Sequence, residues 1–361
     1  MMAVSLLYLY QMKRTFYVMA ILFYLILFNS CSSSQINRNQ FQFEISPDNK
    51  INGLSFVASP RKVDSIAFIH IDSVAANWIS LMPFAYMPAA DQSELYFNQK
   101  DQWWGERVEG VKATVEMAHQ KSIQVCLKPQ IWIGNGTFTG LIHMNSESNW
   151  IAFENNYREY LLTFAKLASE TQVEYVCIGT ELQQFVADRP VFWNALIDSI
   201  RSIYSGQLTY AENWDCFDKV PFWSKLDAVG VDAYFPLSPE KKPTIAQLKL
   251  GWQTHLEKLK ACSEKENKPI LFTEFGYRSM DFCAKSPWDY SNEYPVNQQA
   301  QAIALQALFE TVWNKDWFAG GFLWKWFPEC NRHLGENDTQ FSPQGKKAEA
   351  VVKNWYRNYL K

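Results

Sequence analysis

The sequence predicts a single (β/α)₈ barrel, an α/β fold, on three observations. Eight short apolar runs alternate with helical patterns along the chain. The stretch from 52 to 326 has the length such a barrel takes, about 250 residues. No GxGxxG or GxxxxGK[ST] loop follows any run, which argues against the nucleotide-binding open sheets that also alternate.

The chain opens on an address rather than on fold. Met12-Lys13-Arg14 precede an apolar run from Phe16 to Phe28, about as long as a signal core and too short to span a bilayer comfortably. Asn29, Ser30, Cys31 and then Ser32–Ser34 follow. This pattern resembles a bacterial lipoprotein signal, which implies cleavage before Cys31 and its lipidation. Phe28 departs from that pattern, which usually has an aliphatic residue three before the Cys. The alternative is an uncleaved N-terminal anchor. Met12 is a candidate start, because the first eleven residues add a second apolar patch. The expected organisation is a signal over 1–31, a polar tether over 32–48 and a catalytic domain over 49–361. The expected location is the cell envelope, lipid-anchored to the outer membrane and facing the periplasm or the surface.

The eight runs are Asn52–Val57, Trp78–Phe84, Ile123–Ile131, Tyr175–Glu181, Gln207–Glu212, Ala228–Tyr234, Pro269–Phe275 and Gly320–Trp326. Most are nearly continuous in apolar residues, as parallel strands buried on both faces require. Helical periodicity fills the gaps. Val111, Val115 and Ala118 share one face of a helix over 108–121. Tyr157, Leu161, Phe164 and Leu167 mark another over 150–169. Further helices are expected over 62–76, 190–204, 244–265, 297–315 and 343–359, with a short one near 218–225.

Composition narrows the function. A chain 48% hydrophobic and 20% charged has ample material for a core, so disorder is excluded. A net charge of −3 supplies no basic field, and nucleic acid is not an expected partner. Five His, with no HxH, argue against a metal-dependent amidohydrolase barrel. Gly320-Gly321 precede the eighth run rather than follow it, so no phosphate cradle is placed where sugar-phosphate and flavin barrels carry one. No metal and no organic cofactor is expected. Fifteen Trp are an excess that core filling alone does not explain; aromatic faces stack on sugar rings or anchor a partner protein. Of the Cys beyond Cys31, Cys126 and Cys177 sit in apolar runs and read as core. Cys283 and Cys330 fall in loops and are the better candidates for a disulfide. No CxxC supports a zinc ribbon.

In this fold function gathers at the C-terminal ends of the strands. The fourth run ends in Ile178-Gly179-Thr180-Glu181 and the seventh in Thr273-Glu274-Phe275-Gly276. A carboxylate after an apolar strand is costly to bury unless it is paired or used. Two of them, three βα units apart, can point into one cleft. A pair of that kind suits glycosidic cleavage, in which one carboxyl donates a proton and the other attacks or positions water.

The stretches IGTEL, LKPQIW and TEFGY resemble glycoside hydrolase family 113, a family of β-mannanases within the clan of eight-fold barrels carrying Glu at the ends of the fourth and seventh strands. The resemblance spans about residues 50–360. It implies Glu181 as general acid/base, Glu274 as nucleophile and retention of configuration. It also implies β-1,4-mannan or manno-oligosaccharides as substrate, with endo action. Most clan members place Asn before the acid/base to contact the sugar 2-hydroxyl; Thr180 stands there instead. Tyr234 resembles the clan residue that donates a hydrogen bond to the nucleophile.

Further candidates line the same mouth. Asp232 is an inner-barrel acid, catalytic or structural. Lys128, in an apolar strand, either binds a sugar hydroxyl or balances the acids. Alternation places Trp324 and Trp326 on one face; inward, one of them floors the sugar at the cleavage point, and the alternative is outward packing on the helices. Asn213 and Trp214 end the fifth run. Trp103, Trp104 and Trp132 sit in loops after the second and third runs, where aromatics stack on neighbouring sugars. A monomer is expected, with a poly- or oligosaccharide as its soluble partner. The alternatives are hydrolysis of another β-linked glycan and a non-catalytic glycan-binding lipoprotein.

Overall fold

The computed structural model describes residues 49–291, 293–329 and 337–359. Cys31, the signal over 1–31, the tether and Cys330 lie outside the described residues; Cys283 is a buried thiol. Among the described residues no helix is long and apolar enough to cross a membrane.

The elements in chain order are β1 Ile51–Phe56, α1 Ile66–Ser73, β2 Trp78–Leu81, β3 Phe84–Met87, α2 Val108–Gln120, β4 Gln124–Leu127, β5 Gln130–Ile133, α3 Glu147–Thr171, β6 Tyr175–Thr180, α4 Gln183–Asp188, α5 Pro190–Ile203, β7 Gln207–Asn213, β8 Val229–Asp232, α6 Ile245–Glu266, β9 Ile270–Phe275, α7 Gln298–Leu308, β10 Phe318–Trp326 and α8 Lys347–Arg357. Eight strands close a parallel barrel in the order β1-β10-β9-β8-β7-β6-β4-β2.

The second and third runs, read as one strand each, are two. Pro83 and Pro129 interrupt them, since a proline has no N–H for the ladder. Beyond these prolines β3 and β5 leave the barrel and pair with each other as a separate parallel ribbon. The expected fifth helix is two 3₁₀ turns, Phe217–Lys219 and Trp223–Lys225. The helix expected over 297–315 ends as a π turn, Phe309–Trp313. The short α4 had no periodic signal.

Helix ends follow local chemistry. Ser146 accepts from the Asn149 N–H at the start of α3, and Thr244 with Gln247 forms a capping box on α6. Both helices stop at a residue in the left-handed region, Gln172 (φ 58°) and Asn267 (φ 51°).

The barrel interior is apolar at the strand starts, where Ile51, Trp78, Cys126, Tyr175, Ala228, Leu271 and Phe322 pack as one cluster. Two residues further along the same strands stand Ser80, Lys128, Gly230 and Thr273. Alternation keeps these positions inward, so the interior turns polar towards the C-terminal mouth. A larger core lies between the strands and the helices. It takes up much of the Trp excess: Trp193, Trp223, Trp252, Trp313 and Trp326 are fully buried.

Two bulges shape the mouth. In β6, Cys177–Thr180 oppose only Thr209–Ala211 of β7. In β9, Phe272–Glu274 oppose only Val231–Asp232 of β8, and Phe272–Phe275 oppose only Gly321–Leu323 of β10. An extra residue in a strand re-aims the side chains after it. Both bulges lie just before, or at, a Glu.

Candidate active site

Glu274 sits on β9 with its side chain inside the barrel mouth. The bulge lets Thr273 and Glu274, neighbours in sequence, both reach the interior. Three donors converge on the Glu274 carboxylate: Lys128 Nζ at 2.5 Å and Gln130 Nε2 at 3.1 Å on Oε1, and the Tyr234 hydroxyl at 2.7 Å on Oε2.

Lys128 follows β4 and is 1% exposed. Its ammonium also meets Asp232, at 3.1 Å from Oδ1 and 3.4 Å from Oδ2. Burial acts to lower its pKa, but the Asp232 and Glu274 carboxylates outweigh burial and hold it above the ordinary lysine range. These contacts balance the Asp232 and Glu274 charges. Thr273 Oγ1 donates to Asp232 Oδ1 at 2.7 Å. Burial and the Glu274 charge push Asp232 up to about 7, with Lys128 and Thr273 pulling the other way.

Glu181 follows β6 directly, in the left-handed region (φ 52°). A non-glycine residue there is strained, and such strain collects at functional positions. Its N–H donates to the Ala211 carbonyl at 2.8 Å, which ties the turn to β7. Burial comes first, and the Asp232 and Glu274 charges next, in pushing its carboxyl well above the ordinary range; Lys128 opposes them. The mouth thus holds one carboxyl biased to the acid form beside one held by three donors. That is the division of labour which acid-assisted displacement at an acetal carbon needs.

Glu212, at the end of β7, is a fourth carboxyl nearby. It accepts from the Asn213 N–H at 2.9 Å and the Tyr210 hydroxyl at 3.3 Å, and burial pushes it up to about 7. Its place inside an apolar strand was the available signal, and sequence reasoning passed over it for Asn213 and Trp214. Asn213 is half-buried and accepts from the Trp214 N–H at 2.9 Å. Trp214 stacks on Trp288 at 5.1 Å. The Thr180 hydroxyl is buried and has no hydrogen-bond partner among the described residues.

The aromatic assignments divide. Trp324 is half-buried and donates from Nε1 to the Tyr290 hydroxyl at 3.1 Å. Trp326, expected on the same face, is 1% exposed and belongs to the core between strands and helices, so it cannot floor a sugar. The Trp324–Lys325 peptide is cis. Trp104 also needs correction: it packs against the core, while its neighbour Trp103 lines the cleft. That cleft, of about 960 Å³, is walled by Trp103, Trp132, Phe84, Tyr86 and Trp324, with Lys325 and Glu106 among its polar groups. Trp132 is 59% exposed and meets Phe84 edge-on at 6.3 Å. Lys325 lies over the Trp324 ring at 5.4 Å, and burial lowers its pKa. Gln130 and Tyr290 were missed. Gln130 carried a faint signal as a second polar residue near Lys128; Tyr290, in a long loop, carried none.

A family model, Glycoside Hydrolase Family 113, matches residues 58–346. Among solved structures, the chain is similar to a β-mannanase of that family from Alicyclobacillus acidocaldarius, with 25% identity and a TM-score of 0.76 over 86% of this chain and 98% of that one. It is similar to another β-1,4-mannanase of the family at 23% identity and a TM-score of 0.75, over 86% of this chain and 99% of that one. A β-glucuronidase from Ruminococcus gnavus shares the barrel at 12% identity and a TM-score of 0.57, over 87% of this chain and 52% of that one. No curated protein matches this chain in sequence.

Proposed function

The chain belongs to glycoside hydrolase family 113, and from that premise we propose that it cleaves β-1,4-linked mannan or manno-oligosaccharides by double displacement with retention. One observation carries the reading: Glu274 takes donors from Lys128, Gln130 and Tyr234, while Glu181, in the same mouth, is driven towards its acid form. Glu274 attacks the anomeric carbon as the exocyclic C–O bond breaks, and Glu181 gives its proton to the leaving oxygen. Glu181 then takes a proton from water as that water displaces Glu274 from the sugar. The half-buried Trp324 supplies an aromatic surface at the mouth, and the cleft walled by Trp103 and Trp132 suits further sugar units. The mannan assignment is supported by the similarity to the two β-mannanases.

A panel of mannan, glucomannan, xylan and β-glucan, treated with the protein and with Glu274→Ala, tests the substrate. Mannan cleavage lost in the variant supports the reading; cleavage of another glycan overturns the substrate. Proton NMR of the first-formed product tests stereochemistry, and an inverted anomer overturns double displacement.

For its place in the cell we propose lipid anchoring through Cys31 in the envelope. The Lys13-Arg14 pair, the apolar run to Phe28 and the Ser30-Cys31 junction support this. Incorporation of labelled palmitate that Cys31→Ala abolishes is the expected result, and unlabelled protein overturns it.

A further inference from the structure

We propose that Asp232 is a positioning residue, the second counter-ion of Lys128, which keeps that buried cation paired while Glu274 is esterified to the sugar. The proposal rests on the glycosidase reading of Glu181 and Glu274 and deepens it.

The geometry is a single buried cation shared by two carboxylates. Lys128 and Asp232 side chains are each 1% exposed, and Glu274 is 9% exposed. The ammonium contacts Glu274 Oε1 at 2.5 Å and Asp232 Oδ1 at 3.1 Å. Thr273, the residue before the nucleophile, fixes Asp232 Oδ1 at 2.7 Å. Asp232 itself ends β8, one strand over from Glu274.

A buried ammonium without a counter-ion is strongly disfavoured. Were Glu274 its only partner, the first chemical step would create that state. In that step a Glu274 oxygen bonds to the anomeric carbon, the exocyclic C–O bond breaks, and the leaving oxygen takes the proton of Glu181. The carboxylate becomes a neutral ester, and its charge is gone. An exclusive ion pair would also hold the attacking electrons tightly. With Asp232 present, the free site carries two carboxylates on one cation, an excess of one negative charge. Esterification leaves a neutral Lys128–Asp232 pair. Burial first, and the Glu274 charge next, push Asp232 upward; the second of these is the crowding that the first step relieves. In the second step water bonds to the anomeric carbon and gives a proton to Glu181, and Glu274 returns as carboxylate beside Lys128. Asp232 therefore favours the first step and opposes the second, which restores the excess charge.

That asymmetry is the test. An activated dinitrophenyl β-mannoside reports the first step as a burst of dinitrophenolate. Reactivation of a fluoro-sugar-trapped enzyme reports the second. In Asp232→Asn the burst rate is expected to fall roughly 100-fold while reactivation keeps its rate or quickens. Removing the cation as well, in Lys128→Met/Asp232→Asn, is expected to recover part of the lost burst rate, because no orphan charge remains. Both steps slowed equally by Asp232→Asn, or a double variant slower than the single one, overturns the proposal. If Asp232→Asn alone does not fold, Asp232→Glu and the double variant carry the test. Asp232→Glu should keep the ratio of the two rates within about threefold of the wild type, and the double variant should release its burst no more than about tenfold slower than the wild type; a shifted ratio in Asp232→Glu, or a burst lost altogether in the double variant, overturns it. A wild-type protein that releases no dinitrophenolate overturns the glycosidase reading and this proposal with it. A measurable wild type whose steps fall together in Asp232→Asn overturns only the role of Asp232.

Discussion

Tyr234 donates its hydroxyl to Glu274 Oε2 at 2.7 Å, on the oxygen that Lys128 and Gln130 leave untouched. The carboxylate is therefore held from both oxygens, one by a phenol at the end of β8 and the other from the β4–β5 corner. A hydrogen bond to a charged group contributes about 1.5–3 kcal/mol. Tyr234→Phe is expected to lower kcat/KM roughly 10- to 100-fold with the fold intact, measured by steady-state kinetics alongside a melting curve. An unchanged kcat/KM would show that the phenol is ordinary packing.

Glu181 is kept in its acid form by burial and by the Asp232, Glu274 and Glu212 charges. Activity that needs this proton is present below the Glu181 pKa and falls as pH rises through it. Glu212→Gln removes one negative neighbour, so the alkaline limb of the kcat/KM profile should move to lower pH. In Glu181→Ala, turnover of mannan should drop by about 10²–10⁴, whereas the burst from an activated aryl glycoside, which needs no proton donor, should survive. Equal loss on both substrates would remove Glu181 from the acid role.

Glu212 also makes stability depend on pH. Its carboxyl is raised from 4.5 to about 7, mainly by burial. The folded protein then binds a proton that the unfolded chain has released, so this contribution is full below about pH 4.5 and is lost as pH rises through about 7. Glu212→Gln should therefore stabilise the protein at about pH 8 relative to its effect at about pH 5, by on the order of 3 kcal/mol. Urea unfolding at the two pH values measures it, and a pH-independent effect would contradict the buried-acid account.

Neighbouring tryptophans should separate function from packing. Trp103 lines the cleft at 47% exposure, and Trp104 packs on the core. Trp103→Ala should raise KM on a polymer several-fold with little change in Tm. Trp104→Ala should cost about 2–3 kcal/mol of stability, and Trp326→Ala about 3–5 kcal/mol. Urea denaturation beside polymer kinetics tells them apart; a KM effect confined to Trp104 would reverse the assignment.

The barrel itself was legible because its signals are local. Eight apolar runs between amphipathic stretches require a parallel sheet, and a carboxylate closing such a run has to lie at a strand end. Glu181 and Glu274 could be named from that alone, and the strand order β1-β10-β9-β8-β7-β6-β4-β2 brings both to one mouth. What the sequence could not decide is where a side chain points once the period slips or a partner lies far away in the chain. The bulges in β6 and β9 add a residue that no periodicity announces, and they aim both acids. Pro83 and Pro129 turned two expected strands into four segments, although both prolines were in plain view. Trp326 belongs to the outer core and Trp324 to the mouth, and Trp103 rather than Trp104 lines the cleft, because packing against helices settles which of two near neighbours is covered. The ion partners of Lys128, Asp232 at 3.1 Å and Glu274 at 2.5 Å, lie more than a hundred positions away, beyond the reach of a sequence window. Residue type and hydrophobic period are properties of a short window, and they determined the fold and the two carboxylates. The pairing of buried charges depends on three-dimensional distance and lost solvation, so only the closed barrel decided which carboxylates share the Lys128 cation.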